Sequence, residues 1–179
     1  MSWIRARLAA DRNDASIKTI VVGMHGALPG SVGLSYSMCD SAPGIATGRE
    51  VYNVLWDLQT AGKHVYVLAS HSHFVVKDAY RTRYWGDHVL PGWNVGTAGA
   101  VRYRLPPEIG PRFAQTDVYG YLLASVMKDG SINFEFHDLS LDDLRLANAG
   151  KTPDSLVGWC YAQNKDQQIP APEACTAAQ

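Results

Sequence analysis

Two apolar runs that both end in histidine, with a helix between them, constrain the fold of this chain most strongly. The first run, residues 17–24, leads to His25, and the second, residues 64–69, leads to the sequence Ser-His-Ser-His at residues 70–73. Between them, residues 49–61 repeat apolar side chains at helical spacing. A strand, a helix and a strand in this order form a βαβ unit, whose strands pair in parallel with a right-handed crossover. The sequence therefore predicts an α/β fold.

The second half of the chain carries a hairpin signal. Residues 117–127 and 131–137 are rich in β-forming side chains, and an Asp-Gly pair at 129–130 separates them. Phe134 and its alternate neighbours are apolar, so one face of the second strand is predicted to be buried. We therefore expect a mixed sheet with a C-terminal antiparallel hairpin.

Shorter segments follow from the same rules. Residues 3–10 and 141–147 are predicted helices, the second capped by a Ser-x-x-Asp sequence, and residues 93–97 form a predicted strand. Residues 26–48 lack periodicity and are expected to form a loop. The run 17–24 is so apolar that it is expected to be buried on both faces.

Length and composition favour one globular unit and exclude two classes of partner. The chain has 179 residues, of which 46% are hydrophobic and 18% charged, and this is enough for a single core. We assign the core to residues 1–150 and expect an irregular tail at residues 151–179. The net charge is −1 and no basic stripe occurs, so nucleic acid is not an expected partner. No apolar run is long enough for a membrane span.

Cysteine usage leaves the compartment open. Cys160 and Cys175 flank a polar segment, and they either close a small disulfide loop or remain free thiols. The first 14 residues lack the apolar core of a secretory signal, so the expected location is the cytoplasm.

The histidines after the two runs predict a metal site. In open α/β sheets, ligands bind beyond the carboxyl ends of the strands, so His25, His71 and His73 are expected at one edge. Imidazole suits zinc, copper, iron and nickel. For each histidine alone, an ordinary polar role at a strand end is the alternative.

The order of these features resembles the C-terminal half of the calcineurin-like metallophosphoesterases, the superfamily that includes purple acid phosphatases. A strand ends in a lone histidine at His25, a Gly-His-x-His motif reads Ser-His-Ser-His at 70–73, and a glycine-rich segment follows at 94–99. A closing hairpin at 119–136 is also similar. The match covers roughly residues 3–138.

The resemblance implies half of an αββα sandwich and a binuclear centre of zinc, manganese or iron. His25 and His71 would bind one ion and His73 the other, and all three would be catalytic. The family's Asp-x-His, Gly-Asp-x-x-Asp and Gly-Asn-His-Asp motifs are absent, and Ser70 replaces a glycine. A lone half would expose the sheet face that packs on the other half, which implies a homodimer through that face or a separate chain that supplies the first half.

The expected activity is metal-dependent hydrolysis of phosphodiesters or activated monoesters, with one or two ions per site. A metal ion lowers the pKa of bound water and polarises a phosphoryl oxygen. The alternative is a non-catalytic subunit that completes a split enzyme. An exported ancestor, periplasmic or secreted, is also implied by the family.

Further residues are weaker candidates for the site. His88, Tyr84 and Arg102 are candidate substrate contacts, with surface solvation or packing as the alternative for each. Four carboxylates could replace the missing bridging aspartate, with a solvated surface role as the alternative: Asp40, Asp78, Asp87 and Asp117.

Overall fold

The computed structural model describes residues 1–32, 37–105, 109, 113–163 and 165–168, and shows a mixed α/β fold. The elements in chain order are α1 (Ser2–Asn13), β1 (Thr19–Met24), α2 (Ala42–Thr60), β2 (His64–Ala69), β3 (Val75–Lys77), β4 (Gly92–Val95), β5 (Arg102–Arg104), β6 (Ala114–Gln115), β7 (Tyr119–Val126), β8 (Ile132–Leu139), α3 (Leu141–Asn148), α4 (Asp154–Gln163) and β9 (Lys165–Gln168).

The main sheet has five strands in the order β1-β2-β4-β3-β6. The β1, β2 and β4 strands are parallel, whereas β3 pairs antiparallel with both β4 and β6. The β1–α2–β2 segment is the predicted βαβ unit, and the prediction of an α/β fold is confirmed. Outside this sheet, β7 and β8 form the predicted antiparallel hairpin, and β5 pairs in parallel with β9.

One face of the sheet packs against α2 and forms the core. Val65 and Val67 of β2 are 1% and 0% exposed and lie in one apolar cluster with Leu55 and Leu58 of α2. Alternation along β2 directs these side chains to the same face. Each such fully buried side chain contributes about 1.5–3 kcal/mol relative to exposure, so this face fixes the orientation of β2 and of the histidines that follow it.

The opposite face of the sheet is only partly covered. Val21 is 47% exposed, which corrects the expectation of a strand buried on both faces. The reason is that β1 is an edge strand and that, among the described residues, the two-stranded hairpin covers this face only in part. The hairpin is held to β2 because Ile132 N donates a hydrogen bond of 2.9 Å to the hydroxyl of Tyr66, and the rings of Tyr66 and Phe134 lie 5.2 Å apart.

The largest differences from the sequence predictions concern the start of α2 and the tail. Helix α2 begins at Ala42, seven residues before the predicted start, because Ser41 caps it by accepting a hydrogen bond from Gly44 N and a proline lies in the first turn. The tail was expected to be irregular from residue 151, but it contains α4 and β9. Their sequences carry weak periodicity, and the rest of the tail lies outside the described residues.

Cysteine chemistry also differs from one of the two expectations. Cys160 is exposed and free, so the expected Cys160–Cys175 bridge is wrong for Cys160, and Cys175 lies outside the described residues. Cys39 is buried and disulfide-bonded.

No helix within the described ranges is both long and apolar enough to cross a lipid bilayer.

Candidate functional site

The backbone beyond β1 and β2 brings His25 and His71 together. The two strands are in register from Thr19 and His64 to Met24 and Ala69, so both chains leave the sheet at the same level. There the carbonyl oxygen of His25 accepts hydrogen bonds from the amides of Ser70, at 3.1 Å, and of His71, at 2.8 Å. Because three backbone groups are fixed at this point, the two side chains leave the strand ends from adjacent positions.

The imidazole rings of His25 and His71 contact each other directly. Nδ1 of His71 faces Nε2 of His25 within hydrogen-bonding distance, the ring centroids are 4.3 Å apart, and the ring planes meet at 88°. Burial, followed by the positive charges of His25 and His73, lowers the pKa of His71. The neutral imidazole that this shift favours is the form that binds metal ions.

His73 lies two residues further along and is oriented by strand β5. Its Nδ1 makes a 2.7 Å hydrogen bond to the carbonyl oxygen of Val101, and its ring stacks on Tyr103 with centroids 4.2 Å apart. The amide of Tyr103 also donates to the carbonyl oxygen of His73, at 3.0 Å. Because Nδ1 must carry the proton to donate to a carbonyl, Nε2 of the neutral ring keeps its lone pair.

Two residues that the sequence reading did not select as site residues shape the turn between β2 and β3. Asn94 on β4 is 1% exposed, and its Nδ2 donates 2.8 Å hydrogen bonds to the carbonyl oxygens of Ser72 and Phe74. Gly96 follows on the same segment, and a Cβ there would lie 2.3 Å from the carbonyl oxygens of Ser70 and Ser72. The backbone at Gly96 therefore approaches the turn too closely for any larger residue. An asparagine within the apolar sequence Trp-Asn-Val was the signal for the first residue.

An open cleft of about 530 Å³ adjoins His25. Its walls come from the ends of β1, β2 and β4 on the partly covered face of the sheet and from β7 of the hairpin. The lining residues are Gly23, Met24, His25, Leu68, Ala69, Ser70, Val95 and Leu122. None of these side chains is a carboxylate, an ammonium or a guanidinium, so the cleft is apolar except at His25 and Ser70.

Arg102 is a packing residue in this structure and not a surface one. It is 1% exposed, its guanidinium donates to the carbonyl oxygens of Asp117 and Tyr161, and its Cζ lies 4.8 Å from the ring centre of Tyr119. Surface solvation, the alternative weighed for Arg102 from the sequence, is therefore wrong.

The other two substrate candidates contact the helical side of the fold. Tyr84 packs on Trp85, with ring centroids 4.8 Å apart, and a Cβ at Gly30 would collide with its ring. His88 is exposed and stacks on Trp56 of α2, with centroids 5.0 Å apart. Neither residue lines the cleft beside His25.

The four candidate carboxylates differ in exposure, and Asp78 and Asp117 are partly buried. Asp78 lies 3.9 Å from Arg81 and Asp117 lies 3.9 Å from Arg104, whereas Asp40 and Asp87 are exposed. In the part of the chain that the structure describes, no group of three or more histidine, cysteine, aspartate or glutamate side chains is arranged to hold a metal ion. The contact between His25 and His71 is the part of the predicted cluster that is assembled.

Comparison with known proteins gives no relative: no protein-family model, no curated protein and no solved structure matches this chain.

Proposed function

We propose that this protein is a metal-dependent phosphoesterase in which His25, His71 and His73 hold a divalent transition metal, zinc, manganese or iron. The observation that carries the proposal is the meeting of His71 Nδ1 and His25 Nε2 beyond the carboxyl ends of β1 and β2. This edge of an α/β sheet is where ligands bind. The ordered histidine pattern, which resembles that of the calcineurin-like metallophosphoesterases, supports the same chemistry.

The three imidazole side chains suit a transition metal both as ligand types and in the protonation of their ring nitrogens. His25 and His71 present ring nitrogens to each other, and both would be ligands of a divalent ion bound here. His73 donates Nδ1–H to a carbonyl group, the outer contact that orients metal-binding histidines and leaves Nε2 as the ligand. The lowered pKa of His71 keeps its nitrogen unprotonated near neutral pH.

Three histidine ligands on a divalent ion leave a coordination position open, as in catalytic rather than structural zinc sites. When bound, such an ion lowers the pKa of a water molecule and polarises a phosphoryl oxygen. In the hydrolysis, the oxygen of water forms a bond to phosphorus, the bond between phosphorus and the ester oxygen breaks, and the ester oxygen leaves with the electron pair as an alkoxide or phenolate. The proton of the water passes to solvent.

Good leaving groups are expected to react best. The family's leaving-group histidine belongs to the absent Gly-Asn-His-Asp motif, so the departing oxygen carries its negative charge unaided. Nitrophenolate bears that charge without a proton donor. Aryl phosphodiesters and aryl monoesters are therefore the first substrates to test.

The experiment compares the wild-type chain with His71→Ala and with His64→Gln as a matched control. His64 lies at the opposite end of the same strand, β2, so its substitution removes an imidazole and leaves the site intact. Each protein is loaded with zinc, manganese or iron, desalted, and analysed for metal by mass spectrometry and for hydrolysis of bis(4-nitrophenyl) phosphate. We expect bound metal and hydrolysis in the wild type and in His64→Gln, and neither in His71→Ala. Equal metal content and equal rates in all three proteins would end the proposal.

We further propose that two copies of the chain associate through the partly covered face of the sheet. Val21 on the edge strand β1 is 47% exposed, and an apolar side chain in the middle of a strand favours burial by a second sheet. A homodimer formed there would give each sheet the second layer that the αββα sandwich has.

One observation favours a second candidate, a subunit that completes a split phosphoesterase. Within the described ranges, no carboxylate joins the histidines in a group able to hold a metal. A separate chain with Asp-x-His and Gly-Asn-His-Asp motifs would supply those ligands. The chain alone would then bind no metal tightly and hydrolyse no ester, whereas addition of that second chain would restore both.

A further inference from the structure

We infer that the cleft beside His25 binds the apolar arm of the substrate, so that the preferred esters are phosphodiesters with one alkyl or aryl group that does not leave. For the reacting phosphate, this inference rests on the proposed function. The inference further specifies the chemical class of the ester group that stays on the phosphate, which the histidines alone do not determine.

The shape of the cleft supports an arm that extends from the histidines over the sheet. His25 lies at one end of the lining, and Leu68 and Val95 come from the neighbouring strands β2 and β4. Leu122 of the hairpin forms the opposite wall. A group attached to a phosphate at His25 would therefore pass between two apolar walls.

The floor of the cleft is open at Gly23. A Cβ at this position would meet no atom within 4 Å, although β1 continues through it with regular pairing to β2. The space is free because glycine has no side chain. A larger residue at this position would fill the cleft without displacing the backbone.

The charge of the lining distinguishes between ester classes. None of the eight lining residues is lysine or arginine, so apart from His25 the lining offers no positive group to compensate the second negative charge of a phosphomonoester. A diester carries one negative charge and offers a neutral arm. Each methylene of that arm that enters the cleft is expected to raise kcat/KM about fourfold, the factor that corresponds to about 0.8 kcal/mol.

The first test varies only the arm. Methyl, butyl and hexyl 4-nitrophenyl phosphate share one leaving group, so differences in kcat/KM report binding of the arm. We expect the hexyl ester to exceed the methyl ester at least tenfold in the metal-loaded wild type. Gly23→Leu should remove this preference, because the leucine occupies the space of the arm.

The matched control adds the same side chain outside the cleft. Ser125→Leu lies on the same strand as Leu122, is exposed, and faces the other side of the hairpin because the two positions differ by an odd number. It should keep the preference for the hexyl ester. Leu122→Ala, a second variant, should weaken the preference by removing one wall, and unfolding curves of all variants show whether they remain folded.

A binding measurement separates this inference from the proposed activity. Hexylphosphonate and methylphosphonate are not hydrolysed, and their dissociation constants and the NMR shifts of the methyl groups of Leu68, Val95 and Leu122 report occupation of the cleft. If no ester reacts but hexylphosphonate binds at least tenfold more tightly and shifts these methyl groups, the esterase proposal fails and the cleft assignment holds. If esters react with equal kcat/KM, or if the two phosphonates bind equally, the cleft assignment is overturned.

Discussion

Arg102 on β5 and Tyr161 on α4 join the C-terminal helix to the rest of the fold. The Cζ atom of Arg102 lies 4.2 Å from the centre of the Tyr161 ring, and its guanidinium also donates a hydrogen bond to the Tyr161 carbonyl oxygen. A second bond, of 2.9 Å, reaches the carbonyl oxygen of Asp117. One buried side chain thus connects three segments that are distant in the sequence.

Arg102→Met is expected to lower the free energy of unfolding by roughly 2–4 kcal/mol. The variant removes hydrogen bonds from a charged donor and its contact with aromatic rings, and it leaves buried carbonyl oxygens unpaired. The measurement is urea unfolding at neutral pH. Arg104→Met is the control on the same strand, because the Arg104 side chain is 65% exposed, and its effect should stay within about 0.5 kcal/mol. Equal effects of the two substitutions would contradict a structural role for Arg102.

Asp129→Asn is expected to change how stability depends on pH. The side-chain and backbone hydrogen bonds from Ser131 lower the pKa of Asp129 below its unfolded value of 3.8. A lowered carboxyl pKa stabilises the folded state above the unfolded pKa, and this contribution is lost as the pH falls through the folded pKa. The wild type should therefore exceed Asp129→Asn in urea midpoint at pH 6, and the difference should shrink below pH 3.8.

The control for the pH experiment is Asp138→Asn, which changes an exposed carboxylate on β8 with the same loss of charge. Its difference from the wild type should not follow the same course with pH. A constant offset between wild type and Asp129→Asn from pH 6 to pH 3 would contradict the assignment.

The elements that the sequence predicted best are those in which local pattern and burial agree. The run at residues 64–69 became β2 with the predicted bounds, and the Ser140–Asp143 capping box started α3 at the predicted residue, because both signals are local. The hairpin followed from an Asp-Gly pair for the same reason. Elements that depend on distant partners were missed, such as the polar strand β9, which exists as a strand only through pairing with β5.

The sequence predicted where the candidate site lies, but it did not predict how every candidate side chain is oriented or buried. The meeting of His25 and His71 followed from the rule that parallel strands end at one edge of a sheet. The orientation of His73 depends on Tyr103 in β5, a strand that the sequence pattern did not predict, and on Val101, which precedes this strand. Arg102 was misassigned because a three-residue strand gives no periodicity from which to predict burial.

Cys160 is expected to be the one thiol that reacts in the native, unreduced protein. Among the described residues it is the free cysteine and is exposed, whereas Cys39 is buried and disulfide-bonded. Iodoacetamide treatment followed by mass spectrometry should find one modified residue, Cys160, and Cys160→Ser should remain unmodified. Modification of Cys39 without reduction would contradict the disulfide.

Val21→Lys is expected to convert a dimer into a monomer. A lysine in the middle of the exposed edge strand would place a charge in the proposed contact between two sheets, where its desolvation opposes association. Light scattering after size exclusion should give the mass of two chains for the wild type and of one for the variant. Leu146→Lys on α3, where the native side chain is 82% exposed, should remain dimeric. A monomeric wild type would rule out the homodimer.

His73→Ala is expected to weaken metal binding without changing the number of ions bound. The positive charges of His25 and His73 both contribute to lowering the pKa of His71, after burial, so the His71 ring lies within electrostatic range of each of them. A single ion shared by all three would lose one of its ligands in His73→Ala, and its affinity should fall by at least about 10–100-fold, the range seen when only the outer hydrogen-bond partners of metal ligands are removed. Competition with a chromophoric chelator measures the affinity, and mass spectrometry of the native protein counts the ions. Two ions in the wild type and one in His73→Ala would contradict the shared ion and favour the binuclear arrangement that the family resemblance implies.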